Sequence, residues 1–400
     1  MLLVEKHCPK QLGQLDYHED VTSLLRQMAR RAEVPHLLVY GPPGSGKKTR
    51  IGALLRALYG QAAEHKQLAH KSFKVRSREI EVALLTSKNH IELDPSDAGL
   101  YDHVVVQEII KEMAQSRNIS ALDAASNATK AKNFKVVVLH HVEKLSHAAQ
   151  HALRRTMERY MSSCRLILCC DSVCKVTAPL RSRCLPVRVA APTDEKVREI
   201  LAKTLVAEGQ RDVRADSPVV REIAEHSKGN LRKALLLLET AIVQADNSVL
   251  RPDSSVEVAS WESFVSDMAT LVLSEQTPKQ LAALRDKCYQ LLLNLLPPDL
   301  VLSQLAHSLS EKLPRGSCVD TKVFEATKHT ALTRAAVGGD NMSRPVCSNE
   351  DMRRRVWALA AELQLRMCQG SKPILHLEAF LASVMSLLRE WNMATLVQQH

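Results

Sequence analysis

Aromatic side chains are scarce: Phe, Trp and Tyr make up 4% of the 400 residues, and no interleaved basic and aromatic pattern offers a stacking platform for bases. No apolar run approaches the ~20 residues that a membrane-crossing helix needs. The segment Met1-Leu-Leu-Val-Glu-Lys6 is charged by its fifth residue and lacks the apolar stretch of a secretory signal. These absences predict a chain of the cytosol or nucleus with no membrane partner. None of the ten cysteines stands in a C-x-x-C pair, and Cys169 and Cys170 lie inside the apolar run Leu166-Ile-Leu-Cys-Cys170. That is the usage of buried free thiols in a reducing compartment, not of a disulfide scaffold. Cys164, Cys169, Cys170 and Cys174 fit no zinc spacing, so no metal centre is expected.

Positive charge, by contrast, is plentiful. Lys and Arg number 54 against 44 Asp and Glu, a formal net charge of +10. Such a balance favours polyanionic partners, nucleic acid first, although solvated lysines alone would produce it too. The length implies two or three domains, each able to bury a core.

Residues 37–40, 136–139 and 166–170 are short, nearly unbroken apolar runs rich in β-formers, with Ile91-Glu-Leu93 a further candidate. They read as strands covered on both faces. Helical patterns over 47–58, 104–116 and 147–161 alternate with them, which predicts an α/β sheet with crossover helices. After Val189 the pattern becomes wholly helical. Thr193 and Ser217-Pro218 offer helix starts and Gly229 a helix stop. The expected division is a nucleotide-binding core over 1–190, a small helical lid over 191–250 and a helical domain over 251–400. The last contains an irregular stretch at about 313–350, expected to be a mobile loop.

The first strand runs into Gly41-Pro-Pro-Gly44-Ser45-Gly46-Lys47-Lys48-Thr49, a glycine-rich turn opening a helix. This is a P-loop in its strand-loop-helix context. Its backbone N–H groups converge on phosphates, the helix N-terminus adds positive potential, and Lys47 reaches the outer phosphates. A P-loop ordinarily places Ser or Thr directly after its lysine to hold Mg²⁺. Here Lys48 takes that place and Thr49 comes one residue late, rotated about 100° around the helix. Either Mg²⁺ is poorly held, or the helix start adjusts so that Thr49 substitutes.

An ATPase of this kind also needs carboxylates after the strand that ends at Leu139: an Asp for Mg²⁺ and a Glu to activate water. The sequence has His140 and His141. Neutral imidazoles are poor partners for a hard cation, and adjacent strand residues point to opposite faces. Lost hydrolysis is the expectation. Glu143 occupies the fourth place of a D-E-x-D pattern and is not assigned as a replacement base.

Three features stand in order: the P-loop, the degenerate Walker B strand, and His151-Ala-Leu-Arg-Arg-Thr-Met-Glu-Arg-Tyr160 followed by Leu180-Arg-Ser182-Arg183-Cys184-Leu. In them the chain resembles the small subunits of replication factor C. It is most similar to those whose P-loop reads G-K-K-T and whose Walker B carboxylates are incomplete. The likeness covers residues 1 to about 310 and resumes near 351, with Gly370–Phe380 resembling the C-terminal helix motif. It implies a AAA+ P-loop module with an all-α lid and an all-α collar, in a five-subunit ring with other replication factor C subunits. Such a ring loads the proliferating cell nuclear antigen clamp onto primer-template DNA in the nucleus.

On that resemblance Arg183 of the S-R-C box is the arginine finger of the neighbouring ATP site, where a guanidinium speeds phosphoryl transfer by about 10³–10⁵. Arg232 of Asn230-Leu-Arg232 matches the sensor 2 position, contacting ATP or ADP in the chain's own site. Asp171 stands where the family has Asn at sensor 1, and His7-Cys8-Pro9 replaces Tyr-Arg-Pro near the adenine; both weigh against self-catalysis. Arg155 and Arg159, four apart on one helix, are candidate contacts to the DNA backbone. A solvated face or inter-subunit ion pairs would explain them equally well, and spacing pairs Arg154 with Glu158. Two rival readings remain: an autonomous AAA+ ATPase, and a scaffold subunit that has lost its nucleotide.

Overall fold

The apolar runs form the inner strands of one seven-stranded sheet. The computed structural model describes residues 2–31, 33–75, 78–95, 99, 101–115, 134–161, 163–209, 215–245, 259–313, 349–370 and 372–398. They fall into two compact units, residues 1–257 and 258–400. The irregular stretch expected at 313–350 lies, over 314–348, outside the described residues.

The first unit runs α1 (Leu3–Lys6), α2 (Glu19–Arg31), β1 (Leu37–Tyr40), α3 (Lys47–Tyr59), β2 (Gln67–Val75), β3 (Arg78–Thr86), β4 (His90–Leu93), α4 (Asp102–Gln115), β5 (Lys135–Leu139), α5 (His147–Arg159), β6 (Cys164–Cys170), α6 (Ala178–Arg181), β7 (Leu185–Arg188), α7 (Asp194–Ala207), α8 (Pro218–Ser227) and α9 (Leu231–Gln244). The sheet order is β2-β3-β4-β5-β6-β1-β7. Strands β4, β5, β6, β1 and β7 pair in parallel, while β2 and β3 form an antiparallel hairpin at one edge.

Strand β5 shows why its run is unbroken. Alternate residues face opposite sides. Val137 and Leu139 enter the core beneath α4 and α5, with Ile109, Leu153 and Met157. Val136 and Val138 enter the core beneath α2 and α3, with Leu25, Leu54 and Leu55. The edge hairpin was not legible in the same way. Its buried residues Phe73, Val82 and Leu84 are interleaved with Ser72, Lys74, Glu81, Ala83 and Leu85 in no regular polar alternation, and Pro186 in β7 is tolerated because that strand also lies at an edge. Cys164, Cys169 and Cys170 are buried free thiols. Burial pushes them up to about 12, 11 and 12, so they stay protonated rather than serving as thiolate ligands.

A buried carboxylate ties two of the helices together. Asp102, at the start of α4, accepts from Ser146 N at 2.7 Å and from Ser146 Oγ at 2.9 Å. Ser146 Oγ in turn caps α5 by accepting from Ala149 N at 3.1 Å. Asp102→Ala removes both hydrogen bonds that hold Ser146, and with them the anchor of the α5 cap, and is expected to cost about 1.5–3 kcal/mol, the worth of charge-assisted hydrogen bonds. Urea titration checks this; a loss below about 0.5 kcal/mol, the ordinary scatter of surface substitutions, would contradict it.

Helices α7, α8 and α9 enclose their own small core of Val197, Leu201, Val220, Ile223 and Leu238, to which α1 adds Leu3. The second unit holds α10 (Ser260–Ser274), α11 (Pro278–Leu293), α12 (Pro298–Lys312), α13 (Asn349–Gln369) and α14 (Pro373–Gln398). They pack around Met268, Leu284, Cys288, Leu305, Phe380 and Leu381. Leu291 joins that core, whereas Leu293 and Leu295 of the same leucine-rich run are 79% and 89% exposed.

Candidate nucleotide site

Three glycines shape the P-loop because nothing larger fits. Gly41, Gly44 and Gly46 have φ of +155°, +73° and +82°. A Cβ on Gly41 would lie 1.8 Å from Val189 O, one on Gly44 1.8 Å from Asn230 Oδ1, and one on Gly46 2.3 Å from the Tyr17 hydroxyl. The loop is thus pressed between the sheet, the N-cap of α9 and the N-terminal segment, and Tyr17 also donates to Ser45 O at 2.9 Å. Tyr17 and Asn230 went unnoticed as loop partners because each is far from the loop in sequence.

Helix α3 begins at Lys47, with Gly46 as an N-cap that offers no side-chain acceptor. Its first N–H groups therefore point at the loop, as an anion-binding helix start requires. Lys47 is buried; its ammonium donates to Gly41 O and Pro42 O at 2.8 Å each and pairs with Asp171 Oδ1 at 2.7 Å. The helix start is not shifted to bring Thr49 into the position after the lysine. Thr49 instead meets Cys8, whose Sγ is 3.9 Å from its Oγ1, while Lys48 is exposed.

A cleft of about 1100 Å³ opens beside the loop, lined among others by His7, Tyr17, Lys48, Thr49 and Arg232. It is roomy enough for a nucleotide. Lys6 and His7 both pair with Glu208 just after α7, Lys6 at 2.7 Å, which fastens the N-terminal segment at the rim.

At the end of β5 the histidines turn to other partners. His140 is buried with Nε2 3.4 Å from Glu92 Oε2, and Lys66 donates to Glu92 Oε1 at 2.8 Å. Burial pushes the Glu92 carboxyl up, but the hydrogen bonds from His140 and Lys66 outweigh it and hold the group at about 2. The folded value lies below the ordinary 4.5, so this cluster stabilises the fold above about pH 4.5 and loses its effect as pH falls toward about 2. The difference is worth on the order of 3 kcal/mol. Glu92→Gln should flatten the acid limb of stability measured by urea midpoint from pH 7 to 3; an unchanged limb would show that Glu92 does not carry it.

Arg183, just past α6, lies along α5. Its Nε and Nη2 are each 2.6 Å from Glu158 Oε1, and its Nη1 donates to Pro179 O at 2.8 Å. Arg154, the partner that spacing assigns to Glu158, stands farther off at 3.8 Å. The closer fork of Arg183 holds the carboxylate, a contact between residues 25 apart that no spacing rule announces. Arg155 and Arg159 are both exposed. Arg155 lines a hollow of about 540 Å³ with His151 and Arg154, while the Arg159 guanidinium sits 5.6 Å from the Tyr160 ring centre.

Known proteins place these features. A family model described as "RCF1/5-like, AAA+ ATPase lid domain" matches residues 210–243. "Replication factor C subunit 3, C-terminal domain" matches 261–340, and "DNA polymerase III, delta subunit" matches 17–193. The chain is 40% identical to replication factor C subunit 3 of Arabidopsis thaliana over 400 residues, covering 99% of each. The chain belongs to the replication factor C family. Replication factor C subunit 5 of Oryza sativa is 39% identical, with 99% of each chain covered, and subunit 3 of Homo sapiens is 39% identical, with 98% of this chain and 97% of the human one covered. The replication factor C family thus supplies the AAA+ frame, with its parallel sheet, lid and C-terminal helices, expected from the P-loop and S-R-C segments.

Proposed function

We propose that the chain is a replication factor C subunit of a hetero-oligomeric clamp loader that places the proliferating cell nuclear antigen clamp on primer-template DNA in the nucleus. It acts there as a non-hydrolysing or feebly hydrolysing member that lends Arg183 to a neighbouring ATP site. The observation that carries this reading is a contrast within one chain. The finger is a guanidinium forked by Glu158 on the outside of the module. The chain's own site has His140 drawn into the sheet toward Glu92, where a hydrolytic carboxylate would be needed.

ATP or ADP fits the cleft. Gly41, Gly44, Ser45 and Gly46 offer the loop, Lys47, Lys48 and Thr49 the helix start, and Arg232 a contact from α9. The pattern that holds Mg²⁺ in a P-loop ATPase, a hydroxyl directly after the lysine and a carboxylate at the strand end, is absent from these positions. Mg²⁺ does not fit them. The nucleotide's role is structural or regulatory. Arg155 and Arg159 supply sequence-independent contacts to the DNA backbone, which salt should weaken.

The test is purification of the assembled loader with wild-type chain or Arg183→Ala, followed by DNA-dependent hydrolysis and clamp loading. A five-subunit complex that keeps its composition but loses hydrolysis supports the reading. Unchanged hydrolysis removes Arg183 from the mechanism, and failure to find such a complex removes the loader itself. A nucleotide-free scaffold is favoured by one observation, the ion pair of Lys47 with Asp171; failure of the folded chain to bind a fluorescent ATP analogue would decide for it.

A further inference from the structure

We infer that His141, Glu143 and Asp171 form a binding site for a first-row transition divalent cation, one imidazole and two carboxylates beside the P-loop lysine. No spacing in the sequence reveals it. His141 and Glu143 follow β5, Asp171 follows β6, and the parallel pairing of Val138 with Ile167 and Leu139 with Leu168 brings the two strand ends side by side. One ligand atom from each of the three residues lies within 4.8 Å of the others, a little beyond the ~4.4 Å that bonds of about 2.0–2.2 Å to a common ion allow.

A further observation points to a ligand. Glu143 is 11% exposed, and its Oε2 is buried with no hydrogen-bond partner. An anionic oxygen removed from water without an acceptor's due is the kind of group that a cation satisfies. His141, which supplies the imidazole, has φ of +50°, a left-handed backbone that few non-glycine residues adopt. It is held with Nδ1 3.4 Å from Glu143 Oε1 and Nε2 3.7 Å from Asp94 Oδ2.

The donor set decides the class of ion. Mg²⁺ wants six oxygens in strict octahedral array and keeps its waters, whereas imidazole with carboxylates suits Mn²⁺ through Zn²⁺. Lys47 is the competitor, because its ammonium sits 2.7 Å from Asp171 Oδ1. Removing that charge should therefore tighten cation binding, the opposite of what loss of a structural residue would do. Drawing Lys47 to a bound phosphate should do the same. Only this last point rests on the nucleotide reading, since the three ligands stand without it.

The experiment titrates Mn²⁺ into the folded full chain without nucleotide and counts the free aquo ion by electron paramagnetic resonance. Expected are one bound Mn²⁺ per chain and at least about tenfold weaker binding in Glu143→Gln and in His141→Ala. Zn²⁺ should displace the ion, Mg²⁺ in tenfold excess should not, and Lys47→Met should bind more tightly than wild type. Circular dichroism verifies that each variant folds, and the Lys47→Met comparison decides by itself if either ligand variant does not. Equal binding in wild type and the ligand variants, displacement by Mg²⁺, weaker binding in Lys47→Met, or no bound Mn²⁺ would overturn the site. Because no hydrolysis is measured, failure here leaves the trans-acting Arg183 untouched, and failure of Arg183 leaves the cation site untouched.

Discussion

A loader carrying Arg183→Ala in this chain is expected to assemble normally and to fall silent at one neighbouring ATP site. The ties of the Arg183 guanidinium within the module are a surface pair with Glu158, itself 53% exposed, and a hydrogen bond to Pro179 O, whose loss should leave the module folded. On the proposed role, what disappears is the positive fork that would meet charge spreading over the transferred phosphoryl group, worth about 10³–10⁵ in rate elsewhere. Single-turnover hydrolysis by the purified complex should thus lose the amplitude of that site, while the remaining sites keep theirs. Arg183→Lys should rescue little, because a point-charge ammonium cannot present two parallel donors. Glu158→Ala should have a smaller effect, since it removes the hold on the fork but not the fork. Full single-turnover amplitude in Arg183→Ala would show that the finger comes from elsewhere.

Gly41→Ala should be among the most damaging single-methyl changes in the chain. At φ +155° the new Cβ would be driven to 1.8 Å from Val189 O, a backbone atom that cannot rotate away. The unfavourable backbone costs about 1–3 kcal/mol, and displacing the loop from the end of β7 adds a comparable ~1–3 kcal/mol. Because that loop also carries the phosphate-binding N–H groups, stability and nucleotide affinity should fall together, read by thermal melting and by a fluorescent ATP analogue. Wild-type behaviour in both would mean that the loop is not clamped as described.

The parallel strands were legible because they are buried twice over: from Val136 to Leu139, β5 feeds two cores with alternate residues, which leaves no place for a polar side chain there. The P-loop was legible because its glycines and lysine stand in one unbroken segment. The hairpin of β2 and β3 was not, since an edge pair buries only one face and its alternation is diluted by Lys71, Ser72, Glu79 and Glu81. Within the site, legibility ended where partners come from different elements. Spacing joined Glu158 to Arg154, but Arg183 arrives from the turn after α6 with better geometry and displaces it. His141 and Glu143 could be seen as neighbours, whereas Asp171 reaches them only through the pairing of β5 with β6. The substitutions read as losses, His141 for a catalytic Glu and Asp171 for Asn, are the same ones that the fold gathers into a new donor set.

The most direct test of the central claim, a subunit that holds nucleotide without hydrolysing it, is phosphate release by the purified chain after loading with γ-labelled ATP. The expected result is ATP retained intact on the chain, with phosphate at the level of the blank and with retention lost in Lys47→Ala. Steady phosphate release that Lys47→Ala abolishes would contradict it, and would make this chain an ATPase in its own right.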